Sequence, residues 1–126
     1  MTATSQSLPD YYHYLDNFSV DHVRSGRGDV LALVQEDSQG DMHTLSYAEL
    51  DEQSAKLAGW FQSQGLSQGD RIACMLPRTP QLLVAVLATW RIGAVYQPLF
   101  TAFGPDAVDY RLGRAGTKLG ITDHAN

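Results

Sequence analysis

The chain has 126 residues, 44% hydrophobic and 18% charged, with nine basic against fourteen acidic side chains for a formal charge of −5. That length suits one domain or a part of one, the composition is that of a globular protein, and the acidic balance offers no basic surface to a nucleic-acid backbone. The single cysteine, Cys74, excludes an internal disulfide and any multi-cysteine metal site, so a reducing, cytoplasmic setting is expected.

In chain order, residues 1–28 read as an N-terminal extension and residues 29–126 as the folded portion. MTATSQSLPDYYHY lacks the basic start and apolar stretch of a secretory signal, and it lacks the Arg-rich pattern of a transit peptide. Tyr11, Tyr12, Tyr14 and Phe18 form an aromatic cluster suited to anchoring on a surface. Arg27-Gly28-Asp29 matches an adhesion tripeptide, but so short a match is common by chance, and a turn before a strand is expected there. DVLALVQE at 29–36 then reads as a strand, SQGD at 38–41 as a turn and HTLS at 43–46 as a second strand, together an N-terminal β-hairpin.

Ser46-Tyr47-Ala48-Glu49 has the S-x-x-E form in which hydroxyl and carboxylate each bond the other residue's backbone N–H, and it predicts a helix over 47–64. Leu50, Leu57, Ala58 and Phe61 share one face, and Gly65 before Leu66 is a left-handed stop. RIACML at 71–76 is apolar on both alternations, as in a buried parallel strand. Thr79 and Pro80 supply an N-cap and a first-turn proline for a helix running to Gly93, with Arg91 placed to complement the negative end of its dipole. The run LLVAVLATW in that helix is about half of a membrane span. AVYQPLF forms the next strand and its exit, Gly104-Pro105 opens a third helix that closes at Gly116, and KLGIT at 118–122 is the last strand. The alternation predicts an α/β fold, a mainly parallel sheet flanked by helices, whose final strand has no following helix to cover its face.

Residue chemistry alone assigns little. No G-x-x-x-x-G-K-[ST] loop, H-E-x-x-H or G-x-S-x-G is present, and Gly26-Arg27-Gly28 lacks a third glycine and precedes a strand. His13, His22, His43 and His124 are scattered and read as surface residues, so no metal or catalytic residue is assigned. Asp51-Glu52 and Asp106 with Asp109 fall in first turns of predicted helices, where solvated carboxylates favour the dipole. Arg111, Arg114 and Lys118 form a small basic patch near the third helix's end that could meet a phosphate if the helix faced a ligand, although complementing the helix's C-terminus is the favoured reading.

Two stretches go further. Leu45-Ser46-Tyr47-Ala48-Glu49-Leu50 and Leu87 to Pro98, LATWRIGAVYQP, resemble the first and second core motifs of the adenylate-forming superfamily, which includes acyl-CoA synthetases, luciferases and peptide-synthetase adenylation domains. The second is usually L-K-A-G-x-A-Y-x-P, and this chain departs from it at Trp90-Arg91-Ile92. The similarity runs from residue 29 to the C-terminus. The continuation PLFTAFGPDAVDYRLGRAGTKLGITD is more similar to the acetyl-, propionyl- and medium-chain acyl-CoA synthetase branch than to peptide-synthetase domains, which more often have P-[IL]-D there.

The resemblance implies a two-step ligase in which a small carboxylic acid attacks the α-phosphate of Mg-ATP and the thiol of CoA then displaces AMP. The family places its ATP loop, adenine-binding motif, ribose-binding aspartate and catalytic lysine in later segments. The chain is therefore expected to be an N-terminal portion of the large domain, inactive alone, with no ATP, magnesium or CoA chemistry of its own and the rest of its synthetase as partner. Ser46, Tyr47, Glu49, Gly93, Tyr96 and Pro98 are architectural in the family. In the acetyl-CoA synthetase branch the loop matching Phe100-Thr101-Ala102 lies near the CoA nucleotide, often with glycines where this chain has Thr101 and Ala102. CoA contact at Phe100, Thr101 and Ala102 ranks second to apolar packing of Phe100–Phe103 against the rest of the enzyme. The alternative is a self-standing α/β binding or oligomerisation module, whose exposed apolar face, at ~25 cal/mol per Å², would favour a homo-oligomer. A flavodoxin-like phosphoacceptor needs acidic strand ends, and Leu76-Pro77 and Pro98-Leu99 stand there instead.

Overall fold

A computed structural model describes residues 19–125, so the aromatic cluster at Tyr11, Tyr12, Tyr14 and Phe18, together with His13, lies outside the described residues. The elements are α1 (Asp21–Arg24), β1 (Leu31–Glu36), β2 (Met42–Ser46), α2 (Tyr47–Ser63), β3 (Arg71–Met75), α3 (Pro80–Arg91), β4 (Val95–Pro98), α4 (Pro105–Ala115) and β5 (Leu119–Thr122). β1 and β2 form an antiparallel hairpin, and a separate three-stranded parallel sheet has the order β4-β3-β5. The architecture is the α/β arrangement expected, hairpin included. No described helix is long and apolar enough to cross a membrane.

Local chemistry explains most boundaries. The Ser46 hydroxyl accepts from the Glu49 N–H at 3.1 Å and the Glu49 carboxylate accepts from the Ser46 N–H at 3.1 Å, so the capping box starts α2. Gly116 closes α4 at φ 63°, where any side chain would be strained and a Cβ would meet the Arg71 guanidinium at 2.8 Å. Thr79 departs from expectation. Its hydroxyl donates to the Pro77 carbonyl at 3.4 Å and makes no cap bond, so Pro80 alone marks the start of α3. The Arg27-Gly28-Asp29 turn is tied into the fold: the Arg27 guanidinium lies 3.1 Å from His22 Nδ1, and the Gly28 carbonyl accepts from the Ala48 N–H at 2.9 Å.

The core has two clusters. Ala58, Phe61, Leu66, Ile72, Ala88, Ile92 and Ala94 join α2, β3 and α3, and Leu45, Leu50, Val84 and Leu87 seat the hairpin on α2 and α3. Leu119 and Ile121 pack on the first cluster, so α2 and α3 cover one face of the sheet. α4 lies over the opposite face beside Ala73, Met75, Gly120 and Thr122 and buries no residue fully.

Several charged side chains act between elements where near-neighbour rules place them on their own helix. Arg91 leaves its dipole and reaches α2: its guanidinium pairs with the Asp51 carboxylate, donates to Ser54 Oγ at 3.1 Å and donates to the Asp51 carbonyl at 3.2 Å. Ser19 Oγ adds a bond to the same carboxylate at 3.4 Å, so Asp51 is an interhelix anchor and not a solvated helix start. The α4 carbonyl end is capped by Arg71, which donates to Ala115 at 2.7 Å and to Gly116 at 3.3 Å. Lys118 turns to Asp70 at 3.1 Å.

The Ser67 N–H and then Lys118 hold the Asp70 carboxyl below the usual carboxylate range. A lowered folded value gives stability that is present above the unfolded pKa of about 3.9 and is lost as pH falls through the folded value. Between about pH 6 and about pH 3 the urea midpoint is expected to fall less in Lys118→Met than in the parent chain. Equal falls would show that Lys118 contributes nothing to Asp70.

Candidate functional site

β3 is followed by a crossover to β4 through α3, and β4 by a crossover through α4 to β5 on the far side of β3. The two connections leave on opposite faces of the sheet, so the carboxyl ends of β3 and β4 flank a topological switch point, the position where open α/β sheets bind ligands. The exits there are residues 76–79 and 99–104.

β4 is an edge strand, which accommodates Pro98 opposite Cys74, and the Leu99 N–H carries the ladder one step further onto the Cys74 carbonyl at 3.0 Å. Leu99 is buried, and the chain then turns sharply, with the Phe103 N–H donating to the Phe100 carbonyl at 3.0 Å. Thr101 and Ala102 occupy the exposed tip. The Phe100 and Phe103 rings meet edge to face at 5.3 Å, and the Arg111 guanidinium lies over Phe103 at 4.2 Å from the ring centre. Phe100 remains 72% exposed, the most open of the exposed large hydrophobic side chains among the described residues. Beneath the turn, Ala73, Met75, Leu99, Val108 and Leu112 line an apolar slot of about 220 Å³.

Tyr96 lies on the opposite face of β4 from Gln97 and beside the Cys74 thiol; burial pushes both the thiol and the phenol up, which keeps both neutral. Cys74 is thus a packed hydrophobe with no thiolate to offer. Gly93 launches β4 at φ 71°, its carbonyl accepting from the Gly69 N–H at 3.0 Å. Gly93, Tyr96 and Pro98 therefore lie on the path that delivers Phe100–Ala102 to the crevice. Ser46, Tyr47 and Glu49 lie elsewhere, at the hairpin–α2 junction, where the Tyr47 ring stacks on His22 at 4.2 Å. Among the described residues no three of His, Cys, Asp and Glu converge as metal ligands.

Sequence reasoning places Arg111 at its helix's C-terminal end and assigns Gln97 no role, and the structure differs on both. Arg111 reaches back across the start of α4 to Phe103, and Gln97 joins β4 to α4, accepting from Thr117 Oγ1 and donating to the Arg111 carbonyl at 3.0 Å. Only Pro105 hints at the first, by fixing where α4 begins.

A second opening lies on the α2 and α3 face. Leu57, Trp60, Leu76, Val84, Leu119 and Ile121 line an apolar cleft of about 460 Å³. It contains no ionisable side chain.

Residues 20–126 match the family described as AMP-binding enzyme. An acetyl-coenzyme A synthetase of Streptomyces avermitilis is 41% identical over 101 residues, covering 80% of this chain and 16% of that protein. An acetyl-coenzyme A synthetase of Rhodopirellula baltica is 41% identical over 111 residues, covering 82% of this chain and 16% of that protein. The crystal structure of a Brucella canis acyl-CoA synthetase superposes with a TM-score of 0.83 at 37% identity, over 91% of this chain and 21% of that one. The chain thus spans about a sixth of the length of the curated relatives it matches. With a match of this extent and the same α/β fold, the chain belongs to the AMP-binding enzyme family.

Proposed function

We propose that this chain is the amino-terminal portion of a cytoplasmic ATP-dependent acyl-CoA synthetase, and that its 100–103 turn contacts CoA in the thioester-forming step. The carrying observation is the 41% identity to an acetyl-coenzyme A synthetase across 80% of the chain. The full enzyme would join a small carboxylic acid to ATP, releasing pyrophosphate, and pass the acyl group from AMP to the CoA thiol. ATP and magnesium would be held by segments outside this chain. Here the residues supply an exposed aromatic ring at a switch-point crevice, which suits stacking on an adenine.

The test uses the whole polypeptide that carries this segment, with ATP, magnesium, CoA and acetate, propionate or butyrate as acid. Acyl-CoA formation is expected from the whole polypeptide, and none from the 126-residue chain alone. Phe100→Ala is expected to raise KM for CoA about fivefold or more, in line with the loss of a stacking contact. Pyrophosphate release by the isolated chain above a blank would overturn the fragment reading. An unchanged KM for CoA would overturn the CoA contact and leave Phe100 as a packing residue. The apolar 460 Å³ cleft favours one second reading, a self-standing module that associates through that face, and a concentration-dependent dimer in sedimentation would support it.

A further inference from the structure

Resting on the CoA reading above, we infer that Arg111 is a positioning residue for the second half-reaction: it holds the 100–103 turn, through Phe103, at the mouth of the β3/β4 crevice. Phe100 projects into solvent, so no core packing fixes its place. What contacts its ring is Phe103, edge to face at 5.3 Å, with the Phe103 N–H closing the turn on the Phe100 carbonyl at 3.0 Å. Phe103 in turn lies under the Arg111 guanidinium at 4.2 Å. The guanidinium is itself aimed, because Nη1 donates to the Ala107 carbonyl at 3.2 Å on the preceding turn of α4.

The other end of this chain of contacts is tied to the sheet. α4 has no fully buried residue, so apolar packing alone sets its position weakly. Gln97 of β4 compensates by donating to the Arg111 carbonyl at 3.0 Å while its own oxygen accepts from Thr117. Arg71 of β3 holds the far end of α4 through the Ala115 and Gly116 carbonyls. The order of dependence is therefore sheet, Gln97, Arg111, Phe103, Phe100. A planar cation over a ring supplies direction that an aliphatic side chain cannot, which makes Arg111 the link whose replacement frees the turn while keeping the helix.

The experiment compares Arg111→Met, Arg111→Lys, Phe103→Leu and Phe100→Ala in the whole polypeptide. KM for CoA is measured in the complete reaction, and ATP–pyrophosphate exchange is measured without CoA. Arg111→Met and Phe103→Leu are expected to raise KM for CoA about three- to tenfold with exchange within about twofold of the parent, and Arg111→Lys, which keeps the charge but not the planar stack, to recover only part of the loss. Equal losses in exchange and thioester formation would make Arg111 a structural residue only and overturn the inference. If Arg111→Met does not fold, Phe103→Leu and Arg111→Lys give the same reading from either side of the contact. Unchanged KM in the Arg111 and Phe103 variants, with a raised KM in Phe100→Ala, overturns the positioning role and leaves the CoA reading intact. Unchanged KM in Phe100→Ala removes the CoA reading and this inference together.

Discussion

Phe61→Ala is expected to lower the unfolding free energy by about 3–5 kcal/mol, the range for truncating a fully buried aromatic side chain. Phe61 is 0% exposed and belongs to the cluster that joins α2, β3 and α3, so its ring fills space that no single element can close alone. It also forms part of the wall of the 460 Å³ cleft. Neighbours such as Leu57 and Trp60 can therefore relax toward the vacancy, which favours the lower half of that range. Against a typical total of about 5–15 kcal/mol, even that half is a large share. Urea unfolding at constant slope checks it, since a lower midpoint with unchanged slope reports stability alone. A loss under about 1 kcal/mol would mean that the α2–β3–α3 cluster is not the principal core.

Arg91→Met is the second large effect. It removes the guanidinium from Asp51 and Ser54 while keeping most of the side chain's apolar stem, so packing changes little and the polar partners are left behind. The Arg91 and Asp51 side chains are 20% and 31% exposed, which places the pair between a solvent-screened surface bridge and a buried one. Exposed pairs contribute about 0–1 kcal/mol and breaking buried ones costs about 3–5 kcal/mol; screening discounts the latter to an expected loss of about 2 kcal/mol. A double-mutant cycle with Asp51→Asn separates the pair from its surroundings, and a coupling of at least about 0.5 kcal/mol is expected. No coupling would reduce Arg91 to a surface cation. Arg91 lies in the last turn of α3, two residues before Gly93 launches β4, so the anchor also bears on where β4 delivers the 100–103 turn.

The candidate site was half legible before any coordinates. Gly93 and Pro98 carry local meaning in the sequence because a glycine that ends a helix and a proline at a strand exit each act within a few residues, whereas the sequence reads as a buried strand there and only the sheet order makes β4 an edge. Phe100 to Phe103 stood out by their apolar aromatic character. What no pattern showed was that Phe103 has Arg111 above it, or that Gln97 connects β4 to α4. Each depends on the crossing of two elements.

The same division runs through the whole chain. Boundaries of α2, β3, α3 and α4 followed from the capping box at Ser46, the prolines at 80 and 105, and the glycines that end helices, since caps and turns are decided over one helical turn. The α/β class followed from the alternation of elements, and right-handed crossovers left few topologies to choose from. Tertiary structure alone decided where the charges went. Arg91 and Asp51 are 40 positions apart, Arg71 and Ala115 are 44 apart, and Lys118 meets Asp70 because the strands they precede, β5 and β3, are parallel neighbours. Local rules assign Arg91 and Lys118 to the ends of the helices beside them, where the dipole offers a weak and solvated partner. Folding brings carboxylates and bare carbonyls from other elements within reach, and a partly desolvated, multiply bonded partner outcompetes that dipole.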